Sequence, residues 1–259
     1  MKLSQMQDLG GCRAILSNVD AVDRLFELYH GDENLLFESE GGLKYYDYIR
    51  KPKSDGYRGI HVVGRYRPRS KIGAPWRGAR IEIQLRSQLQ HAFATAVETV
   101  TTFTRTPLKF GAGPADWRRF FSLMGSALAM REGTPLVEGT PQKESELVRE
   151  LQEATSALRV RQRLGHWTQA LRTLRRSNTQ KFKWLLLLLN VSENTIKVTG
   201  YLDAREAVRT ISEIEQSKRT DLDAVLVYVK SIKDLKAAYP NYYADTSKFI
   251  DALTQVLKG

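Results

Sequence analysis

The sequence predicts an α/β (α+β) protein: a mixed sheet with flanking helices, then a helical segment, then a small C-terminal α/β region. Three observations lead there. Short strand-like runs alternate with segments of helical period up to about residue 105. Two Gly/Pro breaks, at 106–115 and 133–141, frame stretches of helical composition. The 259 residues, 42% hydrophobic and 27% charged, match ordinary globular values and suit one or two domains.

Residues 11–19 (GCRAILSNV) read as a short apolar strand. Asp20 is expected to cap a helix to about Tyr29, because Val22, Leu25, Phe26 and Tyr29 recur at three- and four-residue spacing. Leu43–Lys51 is rich in Tyr and Ile and β-prone, with Pro52 expected to end it and Ser54-Asp55-Gly56 to turn the chain. Tyr57–Tyr66 reads as a strand, and Arg67–Gly78 as a flexible basic loop. Arg80–Arg86 alternates Ile81, Ile83 and Leu85 with Arg80, Glu82, Gln84 and Arg86, the pattern of a half-buried strand with Glu82 and Gln84 on one face. Ser87 starts a helix to about Thr102. Residues 115–131 and 142–176 look helical. Phe182–Asn190 and Thr195–Tyr201 suggest a hairpin, with the Leu185–Leu189 run as a buried strand; Ala204–Gln216 is a helix, Ala224–Val229 a strand and Ser247–Leu257 a closing helix. The expected domains are 1–105, a helical segment 106–178, and 179–259.

Several classes are excluded. The longest leucine run is five residues, against about 20 needed to span a bilayer, and the N-terminal residues carry no apolar signal core. No membrane partner is expected. A single cysteine, Cys12, cannot form an internal disulfide, which suits a reducing, cytoplasmic setting. One Cys and four His exclude a Cys-based zinc site. Walker-type, G-x-G-x-x-G, G-x-S-x-G and H-E-x-x-H motifs are absent, so phosphate must be handled by side chains.

Charge points the same way. The chain is net +11, yet residues 44–86 hold twelve Lys/Arg against three acidic residues, and 159–183 hold eight Lys/Arg with no acid. Two such patches suit a polyanionic partner, whether phosphate, nucleotide or nucleic acid; a solvated basic surface is the plainer alternative.

Three stretches carry candidate chemistry. In Asp8-Leu9-Gly10-Gly11-Cys12-Arg13 a carboxylate precedes two glycines at a strand start. It suits either Mg²⁺ held against substrate phosphates or a turn-forming Asp. From Asp47 to His61, Tyr57 can offer a stacking ring while Lys51, Lys53 and Arg58 neutralise phosphates; packing of its own strand is the alternative. In Glu82-Ile83-Gln84-Leu85-Arg86, with His91 following, a Glu on an open strand face near cations suits a general base, or simply a charged surface strand.

Together and in this order, the three stretches resemble the synthetase domain of the RelA/SpoT family, the alarmone synthetases of stringent-response metabolism, over about residues 1–105. The resemblance implies a nucleotidyltransferase-like mixed sheet and transfer of pyrophosphate from ATP to the ribose 3′-hydroxyl of GDP or GTP. It implies Mg²⁺ on Asp8, Tyr57 stacked on the acceptor base, and Glu82 activating the 3′-hydroxyl. Lys53 and His61 would contact acceptor phosphates and Asp55 the base edge. Gln84 and Arg86 would organise the acceptor side, with Arg13, Lys51 and Arg58 on phosphate. Departures are Asp55 where the family has Asn, Gly59 where it has Ser, and Tyr46 where a basic residue is frequent. Only seven residues precede Asp8, and the family's upstream Arg/Lys/Ser stretch for ATP has no counterpart among them, so weak turnover is expected. No His-Asp dipeptide of the hydrolase half occurs. Two other readings stay open: a toxin-like transferase acting on the 3′ end of tRNA, and a non-catalytic nucleotide- or RNA-binding module.

Overall fold

The structure, a computed structural model, describes residues 10–31, 37–38, 44–104, 113–165, 168, 182–190, 193, 195–217, 219, 222–228 and 246–258. The chain divides into two compact units, residues 1–93 with 121–148, and residues 94–120 with 149–259.

The first unit is built on a five-stranded mixed sheet. Strand β1 (Gly10–Leu16) runs parallel to β5 (Arg80–Ser87), and β5 runs antiparallel to β4 (Ile60–Tyr66). Both β2 (Phe37–Glu38) and β3 (Lys44–Asp47) pair antiparallel with β4. The expected mixed sheet is therefore present. Its period-2 alternation puts Ile60, Val62, Ile83 and Leu85 on one face, where they pack with Val19, Val22 and Phe26 of helix α1 (Val19–Gly31) and with Ile49. Full burial of each such aliphatic or aromatic side chain is worth about 1.5–3 kcal/mol, so this face is committed to the core. The opposite face is left for polar side chains.

Local chemistry sets the ends of these elements. The cap of α1 is Asn18 rather than the expected Asp20: Asn18 Oδ1 accepts from Ala21 N at 2.9 Å, and Asp20 lies inside the first turn. Strand β3 stops at Asp47, well short of Pro52. The Asp47 carboxylate accepts from Ile49 N at 2.9 Å and Arg50 N at 3.0 Å, and that local turn competes successfully with the strand. β4 begins at Ile60 rather than Tyr57, because Gly56 (φ +86°) and Gly59 (φ +149°) hold the chain out of extended geometry. Arg67–Gly78, expected to be a flexible basic loop, holds a short 3₁₀ turn at Ala74–Trp76, and its end is tied to the strand by Gly78 N→Tyr66 O (2.9 Å) and Tyr66 N→Ala79 O (2.8 Å).

Helix α2 (Gln88–Thr104) begins as expected at Ser87, through a reciprocal cap. Gln90 N donates to Ser87 Oγ and Ser87 N donates to Gln90 Oε1, each at 3.1 Å. Helix α3 (Ala115–Glu132) supplies Glu132, which accepts from Ser87 Oγ and, at 2.9 Å, from Gln90 Nε2. Helix α4 (Glu144–Ala157) is shorter than the expected 142–176: Arg159 adopts φ +49°, which interrupts regular helix. Residues 160–165 are helical again; 166–167 and 169–181 lie outside the described residues.

The second unit carries the expected hairpin, β6 (Trp184–Asn190) with β7 (Thr195–Tyr201), extended by β8 (Leu222–Tyr228) on the other side of β6. The leucine run thus forms the central strand. Leu186 and Tyr201 pack against Ala207 and Ile211 of helix α5 (Ala204–Gln216). Helix α6 (Ser247–Val256) buries Phe249, Ala252 and Leu253.

Candidate active site

Strand register assembles the site. Tyr46 of β3 lies opposite His61 of β4, His61 opposite Gln84 of β5, and Gln84 opposite Arg13 of β1. These four form one row across the polar face of the sheet. Glu82 lies two residues along β5, hence on the same face, beside Gly11. Arg86 lies two residues from Gln84 in the other direction. Residues 71 positions apart in sequence are thereby in contact: Arg13 Nε donates to Gln84 Oε1 at 3.3 Å.

The side chains form a connected network. Glu82 Oε1 pairs with His61 Nδ1. The other ring nitrogen, His61 Nε2, meets the Tyr57 hydroxyl at 2.5 Å. Arg86 Nη2 donates to that hydroxyl at 2.7 Å and to Gln84 Oε1 at 2.8 Å. The hydrogen bond from His61 is the main reason the Glu82 carboxyl is held below its usual range, against the opposing push of burial. Burial pushes the Tyr57 phenol up, with the Arg86 charge opposing.

Cations and rings interleave around this network. Lys53 Nζ stands 4.3 Å from the Tyr48 ring centre and 5.2 Å from that of Tyr57, and the Arg86 guanidinium carbon is 5.0 Å from the Tyr57 ring. The Tyr57 ring is thus flanked by two cations. Tyr46 and Tyr48 stack nearly parallel, their centres 6.1 Å apart, with Lys44 over Tyr46. Tyr48 was not singled out from the sequence, and Tyr46 appeared there only as a departure. Their i, i+2 spacing on a β-prone run was the available signal, but it becomes informative only with the register that places Tyr46 beside His61.

Other candidate residues fall elsewhere. Arg58 is 3% exposed. Its guanidinium donates to Gly125 O and Ile49 O, each at 3.3 Å, and to Pro135 O at 2.7 Å. Burial pushes its pKa down to about 10. The expected phosphate contact is thus replaced by an anchor inside the fold. The cause is the close approach of Gly56 to α3, where a Cβ on Gly125 would lie 2.7 Å from Gly56 Cα. Asp55 Oδ1 accepts from Tyr57 N at 3.0 Å and so shapes the turn that presents Tyr57; burial raises its pKa. Lys51 is exposed at the end of the turn after Asp47, its N donating to Asp47 O at 3.1 Å. Asp8 lies outside the described residues. Among the described residues no group of three or more His, Cys, Asp or Glu is placed to hold a metal ion.

Residues 1–104 match the family model described as a region found in RelA / SpoT proteins. They form a RelA/SpoT-type domain. Arg13, Tyr46, His61, Glu82 and Gln84, which build the polar sheet face, all lie within it. Solved structures similar to the chain include small alarmone synthetase 1 from Bacillus subtilis bound to its product pppGpp (22% identity, TM-score 0.41, covering 51% of this chain and 64% of that one). Others are a GTP pyrophosphokinase family protein from Streptococcus pneumoniae (22%, TM-score 0.37, 49% and 56%) and small alarmone synthetase 2 from B. subtilis (19%, TM-score 0.38, 49% and 62%). The chain thus spans less than two thirds of the length of these neighbours. No curated protein matches it. No helix among the described residues is long and apolar enough to cross a membrane.

Proposed function

We propose that the RelA/SpoT-type domain transfers pyrophosphate from ATP to the ribose 3′-hydroxyl of GDP or GTP, in the cytoplasm where these nucleotides are made and used. The observation that carries this reading is the Glu82 carboxylate on the polar sheet face, tied to His61 and flanked on its own strand by Gln84 and Arg86. Glu82 takes the 3′-hydroxyl proton. The freed oxygen attacks the β-phosphorus of ATP, a new P–O bond forms, the α–β bridge breaks, and AMP leaves. Transfer of this kind depends on positioning and charge neutralisation, which suits a cluster of cations and rings.

Lys53 and Arg13 are assigned to phosphates, and Tyr57 to the acceptor base, with Lys53 moving aside as the base stacks. Gln84 and Arg86 hold the Tyr57 hydroxyl and the strand face in place. Mg²⁺ needs only one or two protein carboxylates, phosphate oxygens and water completing its shell, so Asp8 with substrate could hold it; there the ion would neutralise triphosphate charge.

The test is incubation of the full chain with β-labelled ATP and, separately, GDP, GTP or tRNA. Label on GDP or GTP is the expected result. Label on the tRNA 3′ end would replace the acceptor. Nucleotide binding with no label on any acceptor would leave a binding module.

A further inference from the structure

We propose that His61 is a positioning residue that ties the base Glu82 to the stacking residue Tyr57, so that the two are oriented as one unit rather than separately. This deepens the reading above and rests on it. The resemblance assigns His61 to acceptor phosphates. Here, however, both ring nitrogens already have partners: Glu82 at Nδ1 and the Tyr57 hydroxyl at Nε2.

The hydrogen bonds have only one consistent direction while the ring is neutral. Arg86 can only donate, and an ionised carboxylate can only accept. Arg86 Nη2 therefore gives its proton to the Tyr57 oxygen at 2.7 Å. At the other end, His61 Nδ1 must carry the proton that faces Glu82. A neutral ring protonated at Nδ1 is an acceptor at Nε2, so the Tyr57 hydroxyl donates to it. The chain runs Arg86 to Tyr57 to His61 to Glu82, with every donor pointing toward the carboxylate. Protonating the ring turns Nε2 into a donor and reverses the middle link.

The surroundings hold this arrangement in place. Gln84, opposite His61 in the sheet, has its Oε1 engaged by both Arg13 and Arg86. The Tyr48 ring meets His61 edge to face at 5.2 Å. The groups facing Glu82 are His61 from β4, Gln84 and Arg86 from its own strand, and Tyr48 and Tyr57 from the turn segments, with Gly11 of β1 opposite it in the sheet. His61 supplies the leading influence on the carboxyl, through its hydrogen bond. Moving His61 onto a phosphate would break both links at once.

The test has two readouts. The first needs no turnover: ¹⁵N-histidine NMR of the full chain, the His61 signal being the one lost in His61→Asn. Glu82→Gln should shift its Nδ1 resonance and Tyr57→Phe its Nε2 resonance. The second is kinetic. In His61→Phe, kcat with GDP should fall about 10- to 100-fold, as expected for a base misplaced by about 1 Å, while the acceptor KM rises no more than in Tyr57→Phe and equally for GDP and GTP. The acid limb of kcat/KM should move to higher pH, because the donor that holds the carboxyl low is gone. Tyr57→Phe combined with His61→Phe should cost little more than the worse single change, as coupled positions do. A KM defect that grows from GDP to GTP, with kcat and the acid limb unchanged, would make His61 a phosphate contact and overturn the proposal. So would an Nδ1 resonance indifferent to Glu82→Gln. If the unaltered chain transfers nothing, the reading above falls, and the nitrogen spectra still decide the His61 link.

Discussion

Replacing Arg58 by Met separates an anchor from a phosphate ligand. Met retains much of the side-chain volume and removes every donor. Three carbonyls then lose partners: Ile49 O, Gly125 O and Pro135 O. Hydrogen bonds from a charged group contribute about 1.5–3 kcal/mol each, and the two at 3.3 Å belong at the low end. Their combined loss is about 5 kcal/mol. Against this, Met no longer holds a cation away from water. The fall of the Arg58 pKa from 12.5 to about 10 corresponds to roughly 3 kcal/mol of such cost. The net destabilisation is then about 2 kcal/mol, rising toward 4 where the carbonyls find no water. An exposed phosphate-binding arginine would change stability by less than about 0.5 kcal/mol. Urea unfolding followed by circular dichroism measures this as a lower midpoint at unchanged slope. Acceptor KM, measured well below the transition, should stay within twofold. Unchanged unfolding together with a tenfold rise in acceptor KM would refute the anchor and restore the phosphate role.

Other outcomes follow from the same geometry. Glu82→Gln should lower transfer 10²- to 10⁴-fold, far beyond what the modest loss of stability from its pairing with His61 accounts for, and activity within a few-fold of the original would remove its role as base. Tyr57→Phe should fall between the original and Tyr57→Ala in acceptor affinity and turnover, because it keeps the ring but frees Arg86 and His61; parity with the original would show that the hydroxyl orients nothing. Gly56→Ala should cost about 2–4 kcal/mol, combining a φ of +86° with a Cβ only 2.5 Å from Phe121 O, and a melting point within 2 °C of the original would contradict that packing. Glu82 has a depressed pKa, so its stabilising effect is full above the ordinary value of 4.5 and is lost as pH falls through the depressed one. The stability gap between the original and Glu82→Gln should narrow on acidification, and a constant gap from pH 7 to pH 3 would deny the pairing with His61.

The sequence by itself determined the strands and helices whose signals are local and periodic. β5 was legible because Ile81, Ile83 and Leu85 alternate with polar residues, and α5 because its apolar spacing has helical period. The three motif stretches were legible for a related reason, since each is a short run of chemically distinctive residues. Tertiary structure alone decided which of those residues meet. Arg13 reaches Gln84 only because β1 runs parallel to β5 in one register; a one-residue slip would turn Arg13 to the core face. Lys53 and Arg58 looked alike in sequence, both cations on a Gly-rich turn. Lys53 lies among the tyrosines, while Arg58 turns inward because Gly56 and Gly125 bring the turn against α3. Asp47 and Asp55, polar in either reading, were drawn into turn hydrogen bonds by backbone amides two or three residues away. The direction of the chain from Arg86 to Glu82 depends on four side chains from two strands and a turn, a relation that no local run of residues can encode.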